Sequence, residues 1–587
     1  MAIFQQLKAM PDSMAGCNPN YILAVVCSAM FLDLANLSAI TIALPTIQEN
    51  FDVDVANLQW MISAYALTFG GFLLLGGRGG DIFGHRRVLL FGMTFFALFS
   101  LVCALSPTFI GLVIARAFQG IGAAFTIPPA QAHVALYFTE PAKKAKALGI
   151  WGAAGSLGFI IGLILGGVLT AFFGWRWIFW ISLIISGLVI PAAYLILPRP
   201  PSSRNAATTP PPLPPPSSEA PATNDDAPPP LPPKKFLHSL HARLTRFDAL
   251  GISLGIPGIL LLTFALSSAN AIGWAKAPIL APLILSVALL ALFIHHERSA
   301  PHAILAPHLF RTGRGRRSFA PTLVLAVLTY AVRQACTYFL TVQLQQPPFA
   351  HTAIETSVLF VPLGVTALVC NTLAGRMVPL LGARAMFILG WALAIPGIAL
   401  FALTSGPDKY WRTTFPGMVL YIAGIGAVYV AANVVVVTGA SRSDQGAAAG
   451  VFNVALQVGG SVVGLAGLTA VAEGVGGGGS GGGAGSSGKG GVIAEEGFRA
   501  VYWACVGMCV VGLGVSVFVV EVPRELRGSV WRKGEEEGEE GARREGGGGE
   551  GGGTAAADGG GGRRGSMSVA SSQYELQPVV VRASREE

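Results

Sequence analysis

Long apolar runs dominate this chain and decide what it can fold into. A helix needs roughly 20 apolar residues to cross the hydrocarbon core of a bilayer. Fourteen runs near that length can be marked: 21–44, 58–75, 88–105, 109–132, 147–173, 178–197, 250–266, 279–294, 319–342, 356–373, 386–403, 415–437, 447–472 and 501–520. The seventh and eighth are the shortest. Only 12% of the residues are charged, against about 25% in a soluble domain. With 52% hydrophobic residues and a mean hydropathy of +0.59, soluble, coiled-coil and disordered classes are excluded. The expected fold is all-α, a polytopic membrane protein with fourteen transmembrane helices.

Lysine and arginine collect on the cytoplasmic side of membrane proteins. With the N-terminus inside, the inner connections hold Arg78, Arg86, Arg87, Lys143, Lys144, Lys146, two groups within 199–246 and 298–317, Arg376, Arg384 and Arg442. The outer ones hold only Arg176, Lys276, Lys409, Arg412, Lys489 and Arg499. This alternation requires an even number of spans. No cleavable leader is expected in the first 20 residues, so the first span would act as its own insertion signal. The net charge of +8 belongs to these loops, which argues against nucleic acid as a partner. Seven cysteines form no CxxC pair and read as small core residues, so no metal is expected. No catalytic constellation or phosphate-binding loop is present, so neither enzyme activity nor a cofactor is expected.

The turn after the second run, GRGGDIFGHRR (77–87), is echoed after the tenth by GRMVPLLGARA (375–385). Gly77/Gly375, Arg78/Arg376, Gly84/Gly382 and Arg86/Arg384 match at a constant offset of 298, and Asp81 becomes Pro379. The pattern predicts two parallel six-helix bundles, 21–197 and 318–520, with two inserted spans at 248–294. A cytoplasmic N-tail (1–20), a Pro-rich cytoplasmic linker (198–247), a Gly-rich external loop (474–491) and a disordered cytoplasmic tail (521–587) complete the organisation. Duplicated halves suit alternating access, which a receptor or a membrane enzyme does not need.

Charges inside apolar runs are costly and mark functional sites. Asp33 is the only acid of the first run, and it reads either as a proton carrier or as a structural hydrogen-bond partner. Arg116 cannot shed its proton, so it must face water, a partner or substrate. Arg333 in the ninth run is the matching oddity of the second half, a cavity site or one side of a structural ion pair. Gln119, Gln131, Asn371, Asn433, Asn453 and Gln457 read singly as interhelical hydrogen bonds. Trp60, Trp151, Trp175, Trp177 and Trp180 read as an interfacial belt.

The turn at 77–87 resembles the signature of the major facilitator superfamily, G-x-L-a-D-r-x-G-r-k. Gly77, Asp81, Gly84 and Arg86 match, with Arg87 beside them, while Gly79 and Ile82 depart from it. The resemblance implies that this turn gates the cytoplasmic side, with its partner at the N-terminus of span 13 near Asp444. Leu112, Arg116, Gln119, Gly120, Gly122, Ala123 and Ala124 match a second motif of the family, l-x-x-x-R-x-x-q-G-x-g-a-a. Gly158, Gly162, Gly166 and Gly167 match its antiporter motif, g-x-x-x-G-P-x-x-G-G, with Leu163 in place of the proline and hence no proline kink. Stretches 58–78, 174–182 and 444–467 look like the fourteen-span drug:proton antiporter branch, and within it the fungal aminotriazole- and boron-resistance type.

The expectation is therefore a proton-coupled secondary transporter in a multi-pass membrane setting, exporting small toxicants, drugs or solutes. Its partners would be a small-molecule substrate, protons and the lipid bilayer. A monomer is expected, in the plasma membrane before the vacuolar one. An importer or facilitator of a small solute such as ammonium is the alternative on the same fold. A transport-dead membrane sensor is the rival from another class.

Overall fold

Inside lipid, backbone N–H and C=O groups have no water to bond, so a spanning segment closes its hydrogen bonds within a helix. The computed structural model describes residues 18–53, 58, 60–198, 248–273, 276–300, 304–305, 308–311, 318–349, 351–404, 410–476 and 494–520. The expected N-tail, Pro-rich linker, Gly-rich loop and C-terminal tail lie almost wholly outside them. Among the described residues the regular structure is helical, with fourteen helices long and apolar enough to cross a membrane. They are α1 (Pro19–Phe51), α2 (Trp60–Phe83), α3 (His85–Leu105), α4 (Phe109–Tyr137), α5 (Pro141–Phe172), α6 (Arg176–Ile196), α7 (Ala249–Ile272), α8 (Ala277–Glu297), α9 (Ala320–Gln345), α10 (Val361–Leu381), α11 (Ala383–Ala402), α12 (Tyr410–Gly439), α13 (Gln445–Ala472) and α14 (Glu495–Phe518).

Several helices outrun their apolar cores because polar residues cap them. Asn18 accepts from the Asn20 N–H at 3.1 Å and starts α1, and Asp52 at φ 51° ends it. The short seventh and eighth runs become full-length helices. Asp248 accepts from the Gly251 N–H at 2.9 Å and from His296 Nε2 at 2.7 Å, which fastens the start of α7 to the end of α8. α4 breaks at Phe125–Thr126. Pro128 and Pro129 lack the N–H groups that would bond the carbonyls four residues back.

Glycines set the packing within each half. In α5, Gly158, Gly162 and Gly166 press on Phe31, Ala35 and Ala39 of α1; a Cβ there would lie 2.9, 2.7 and 2.6 Å from the respective Cα atoms. Gly167 is off this line, with only Ile42 Cγ2 near it, at 3.8 Å. In α13, Gly459 and Gly464 press on Val327 and Ala331 of α9, with the same Cα distances at 2.7 and 3.0 Å. The glycine spacing is four in α5 and five in α13, because Gly459–Gly467 is a π-helix with i→i+5 bonds.

The repeat thus extends from sequence into geometry. Gly84 and Gly382 both take left-handed φ values, 96° and 87°, which cost a residue with a Cβ far more. Arg86 donates to the Tyr194 carbonyl in the last turn of α6, and Arg384 to the Val517 carbonyl in the last turn of α14. Each guanidinium sits where the helix dipole favours a cation.

The halves meet along two seams, where Gly77 of α2 faces Gly446 and Gly450 of α13, and Gly149 of α5 faces Gly375 of α10. The inserted pair adjoins the first seam. Trp60 of α2 stacks on Phe264 of α7 at 5.8 Å, and α7 also touches the π-helical part of α13. α8 packs on α7 through Leu290 and Phe293. Its outer face, with Ile284 and Val287, is exposed. One expectation needs correction: Trp151 is fully buried and Trp175 is 3% exposed, so neither belongs to a belt. Both fill space between helices.

We predict that Gly162→Leu abolishes a monodisperse peak in detergent size exclusion, whereas Gly167→Ala leaves it intact. Equal behaviour of the two variants would contradict the packing described for α1 and α5.

Candidate functional site

Three charged side chains lie well inside the spans: Asp33, Arg116 and Arg333. A charge buried in an apolar medium must be paired or hydrogen-bonded, and the helices meet this demand differently in each half.

In the first half the charges form one network. Asp33 is 7% exposed and accepts a hydrogen bond from the Tyr65 hydroxyl of α2. The Arg116 guanidinium of α4 lies over the same tyrosine ring, 4.3 Å from its centroid. Arg116 Nη1 donates to Asn36 Oδ1 at 2.7 Å and Gln119 Oε1 at 2.6 Å, and Nε to the Met61 carbonyl at 3.2 Å. Gln119 then donates to Ser100 Oγ of α3 at 2.7 Å, and Asn36 to Ser182 Oγ of α6 at 2.9 Å. Tyr65 therefore lies between the carboxyl and the guanidinium, hydrogen-bonded to one and stacked on the other. Leu32, Phe96 and Ala123 pack around it. Asp33 borders a small cavity inside this half, lined by Ala29, Leu32, Met93, Phe96, Ala123, Thr126 and Ser186.

Asn36, Tyr65, Ser100 and Ser182 were not singled out from the sequence. Asn36 follows Asp33 at i+3 on one helix face, which is a usable signal. The others are ordinary polar residues in apolar runs until the helices are oriented.

At the seam end near the 77–87 turn, Asp81 accepts from the Gly446 N–H at 2.9 Å and the Ala447 N–H at 2.7 Å. These are free donors of the first turn of α13, where the helix dipole favours an anion. Arg78 Nη1 is 3.6 Å from Asp444 Oδ1, and His85 Nε2 is 3.4 Å from Asp81 Oδ1. Gly77 lets the two backbones touch, and Gly84 makes the turn. Arg86 holds α6 as described, while Arg87 is exposed. The second half has Pro379 at the position of Asp81, so no carboxylate there reaches the start of α5.

Deeper along the interface, Gln131 of α4 donates to Asn433 Oδ1 of α12 at 2.6 Å and accepts from Asn453 Nδ2 of α13 at 2.8 Å. Asn371 of α10 donates to Ser156 Oγ of α5 at 3.1 Å. These amides are interhelical hydrogen bonds, and they are also the polar contacts between the halves. Gln457 lies against Gly70 of α2.

Arg333 is only partly buried. Its guanidinium lies 5.0 Å from the Tyr330 ring centroid and interacts electrostatically with the phenols of Tyr421 and Tyr429. Among the described residues it makes no salt bridge. Arg333 stands two residues past Ala331, which packs on Gly464 of α13. No group of three or more metal-ligating side chains occurs among the described residues.

Comparison with known proteins agrees with this geometry. A sequence profile of the Major Facilitator Superfamily matches residues 26–464. The puromycin resistance protein of Streptomyces alboniger is 30% identical over 486 residues, covering 81% of this chain and 87% of that protein. The multidrug transporter mfsC of Aspergillus fumigatus is 27% identical, covering 77% and 79%. The low affinity ammonium transporter of Saccharomyces cerevisiae is 25% identical, covering 84% and 86%. Among solved structures, the proton:xylose symporter XylE superposes with a TM-score of 0.56 at 14% identity, covering 86% of this chain and 97% of that one. Human MFSD10, an organic anion transporter, gives 0.55 at 16% identity, covering 85% and 99%. With duplicated halves, a motif-bearing turn on the seam and a profile match over most of its length, this chain belongs to the major facilitator superfamily and is a membrane transporter.

Proposed function

We propose that the chain is a proton-coupled exporter of small toxicants or drugs, working by alternating access in the plasma membrane as a monomer. It would belong to the fourteen-span drug:proton branch and its fungal resistance type. The observation that carries this reading is the Asp33–Tyr65–Arg116 network, a titratable group held against a permanent charge inside one half. Two inserted spans beside the α2–α13 seam and relatives named for resistance and multidrug transport support it.

The cycle follows from differential affinity for two states. With Asp33 ionised, the tyrosine bridge and Arg116 stabilise the present arrangement of α1, α2 and α4. Protonation removes the charge that Tyr65 and Arg116 answer, and the arrangement loses that stabilisation. At the seam, Asp81 supplies two hydrogen bonds to the α13 N-terminus. A hydrogen bond to a charged group contributes about 1.5–3 kcal/mol, so one of them biases a two-state equilibrium roughly ten- to a hundredfold. Positive charge in the neighbouring loops makes this end cytoplasmic, and the described state is then closed to the cytoplasm.

Import of a small solute is the second reading. It draws on Leu163, which leaves α5 without the motif's proline, and on the ammonium-transporting relative.

Two outcomes follow. Cells overexpressing the chain resist a toxicant found by growth screening, and Asp33→Asn reaches the membrane at the normal level yet loses that resistance. Undiminished resistance removes Asp33 from the coupling. In hydrogen-exchange mass spectrometry, Asp81→Ala speeds exchange in the segment 444–450 roughly ten- to a hundredfold, in line with the loss of a charge-assisted bond. Unaltered exchange contradicts the role given to Asp81. Measuring flux against an imposed pH gradient separates export from import.

A further inference from the structure

Asp33 and Arg116 answer each other inside the first half, but among the described residues no acid pairs with Arg333. Among the described residues of α9 to α14, the acids stand at helix ends: Asp444 before α13, Glu495 and Glu496 at the start of α14, and Glu473 just past α13. Glu355 precedes α10. What surrounds the guanidinium is phenolic: Tyr330, Tyr421 and Tyr429. Tyrosine rings stabilise a cation, and their hydroxyls can also donate to an anion. A guanidinium presents five donors in a planar fork that suits a carboxylate or sulfonate.

The exposure of this cluster separates it from a structural core. Arg116 is fully buried, whereas Arg333, Tyr330 and Tyr429 are each partly exposed. Tyr330 packs against Gly460 of α13, its Cδ1 3.1 Å from where a Cβ of that glycine would stand. Tyr429 reaches across to the first half, with its ring edge 3.3 Å from where a Cβ of Gly152 would stand. Beside it, the Nδ2 donor of Asn433 is buried without a hydrogen bond of good geometry.

We propose that the Arg333 cluster binds an aromatic organic anion, with its carboxylate or sulfonate on Arg333 and its ring against Tyr330 and Tyr429. Tyr330 and Tyr429 flank the anion, and the Asn433 amide lies within reach of it. A cationic drug meets a like charge here, and Asp33 of the first half is hydrogen-bonded to Tyr65. The inference rests on the export reading for its biological sense, but the binding site is tested separately from transport.

The experiment uses the purified full chain and three aromatic probes of similar size: 2-naphthoate, 2-naphthylmethylammonium and 2-naphthylmethanol. Binding is read in detergent by quenching of protein fluorescence, and flux in proteoliposomes under a pH gradient. Naphthoate is expected to bind saturably and the ammonium probe not at all. Arg333→Gln should weaken naphthoate binding roughly tenfold or more, the scale of a lost charge-assisted hydrogen bond. Arg333→Lys, which keeps the charge and guards against a folding artefact, should weaken it less. Naphthoate binding unchanged in Arg333→Gln, or tighter binding of the ammonium probe, overturns the anion site. If the ammonium or neutral probe then moves against its gradient, export stands and the anion site alone falls. Naphthoate bound through Arg333 with no flux of any probe upholds the site and overturns export. Silence in both assays overturns both.

Discussion

The price of a charge in hydrocarbon is the constraint from which this architecture follows. A carboxylate or guanidinium taken out of water loses several kcal/mol unless a partner restores it. The chain keeps three such groups inside its spans and a fourth, Asp81, at the seam, and each dictates local structure. Asp33 and Arg116 are answered by a chain of hydrogen bonds that ties α1, α2, α3, α4 and α6 together. Asp81 is answered by backbone N–H groups of the other half. Arg333 is answered by aromatic rings. The same constraint therefore shapes the bundle at each of these points.

Glycine sets the helix contacts. The line 158/162/166 in α5 brings α1 into backbone contact, and 459/464 in α13 does so for α9. The seams between the halves use glycine too, Gly77 on Gly446 and Gly149 on Gly375, and add the amides of Gln131, Asn371, Asn433 and Asn453. The π-helical stretch of α13 breaks the symmetry between the two pairs, and α7 packs against that stretch.

Much of the fold was legible because lipid makes severe demands: apolar runs announce the fourteen long helices. Ser267, Ser268 and Asn270 end the apolar run of α7, yet the helix continues to Ile272. The break in α4 was written in Pro128 and Pro129 yet hidden in an otherwise continuous apolar run. Of the site, the sequence offers the charges but not their partners. Whether Tyr65 meets Asp33, or Tyr429 meets Arg333, depends on how each helix is rotated about its axis, and no single residue encodes that. Trp151 shows the same limit: a tryptophan reads as interfacial until packing buries it.

The central claim is that the two halves rock about a shared interface under the control of a proton. Pulsed electron paramagnetic resonance measures it most directly, with one pair of spin labels at exposed Arg87 and Arg376 near the repeated turns, and a second at exposed Phe173 and Trp411 at the other end. On lowering the pH, the account predicts that the first distance lengthens as the second shortens, and that Asp33→Asn fixes both irrespective of pH. Distances that move together, or that respond to pH equally in the Asp33→Asn variant, would contradict it.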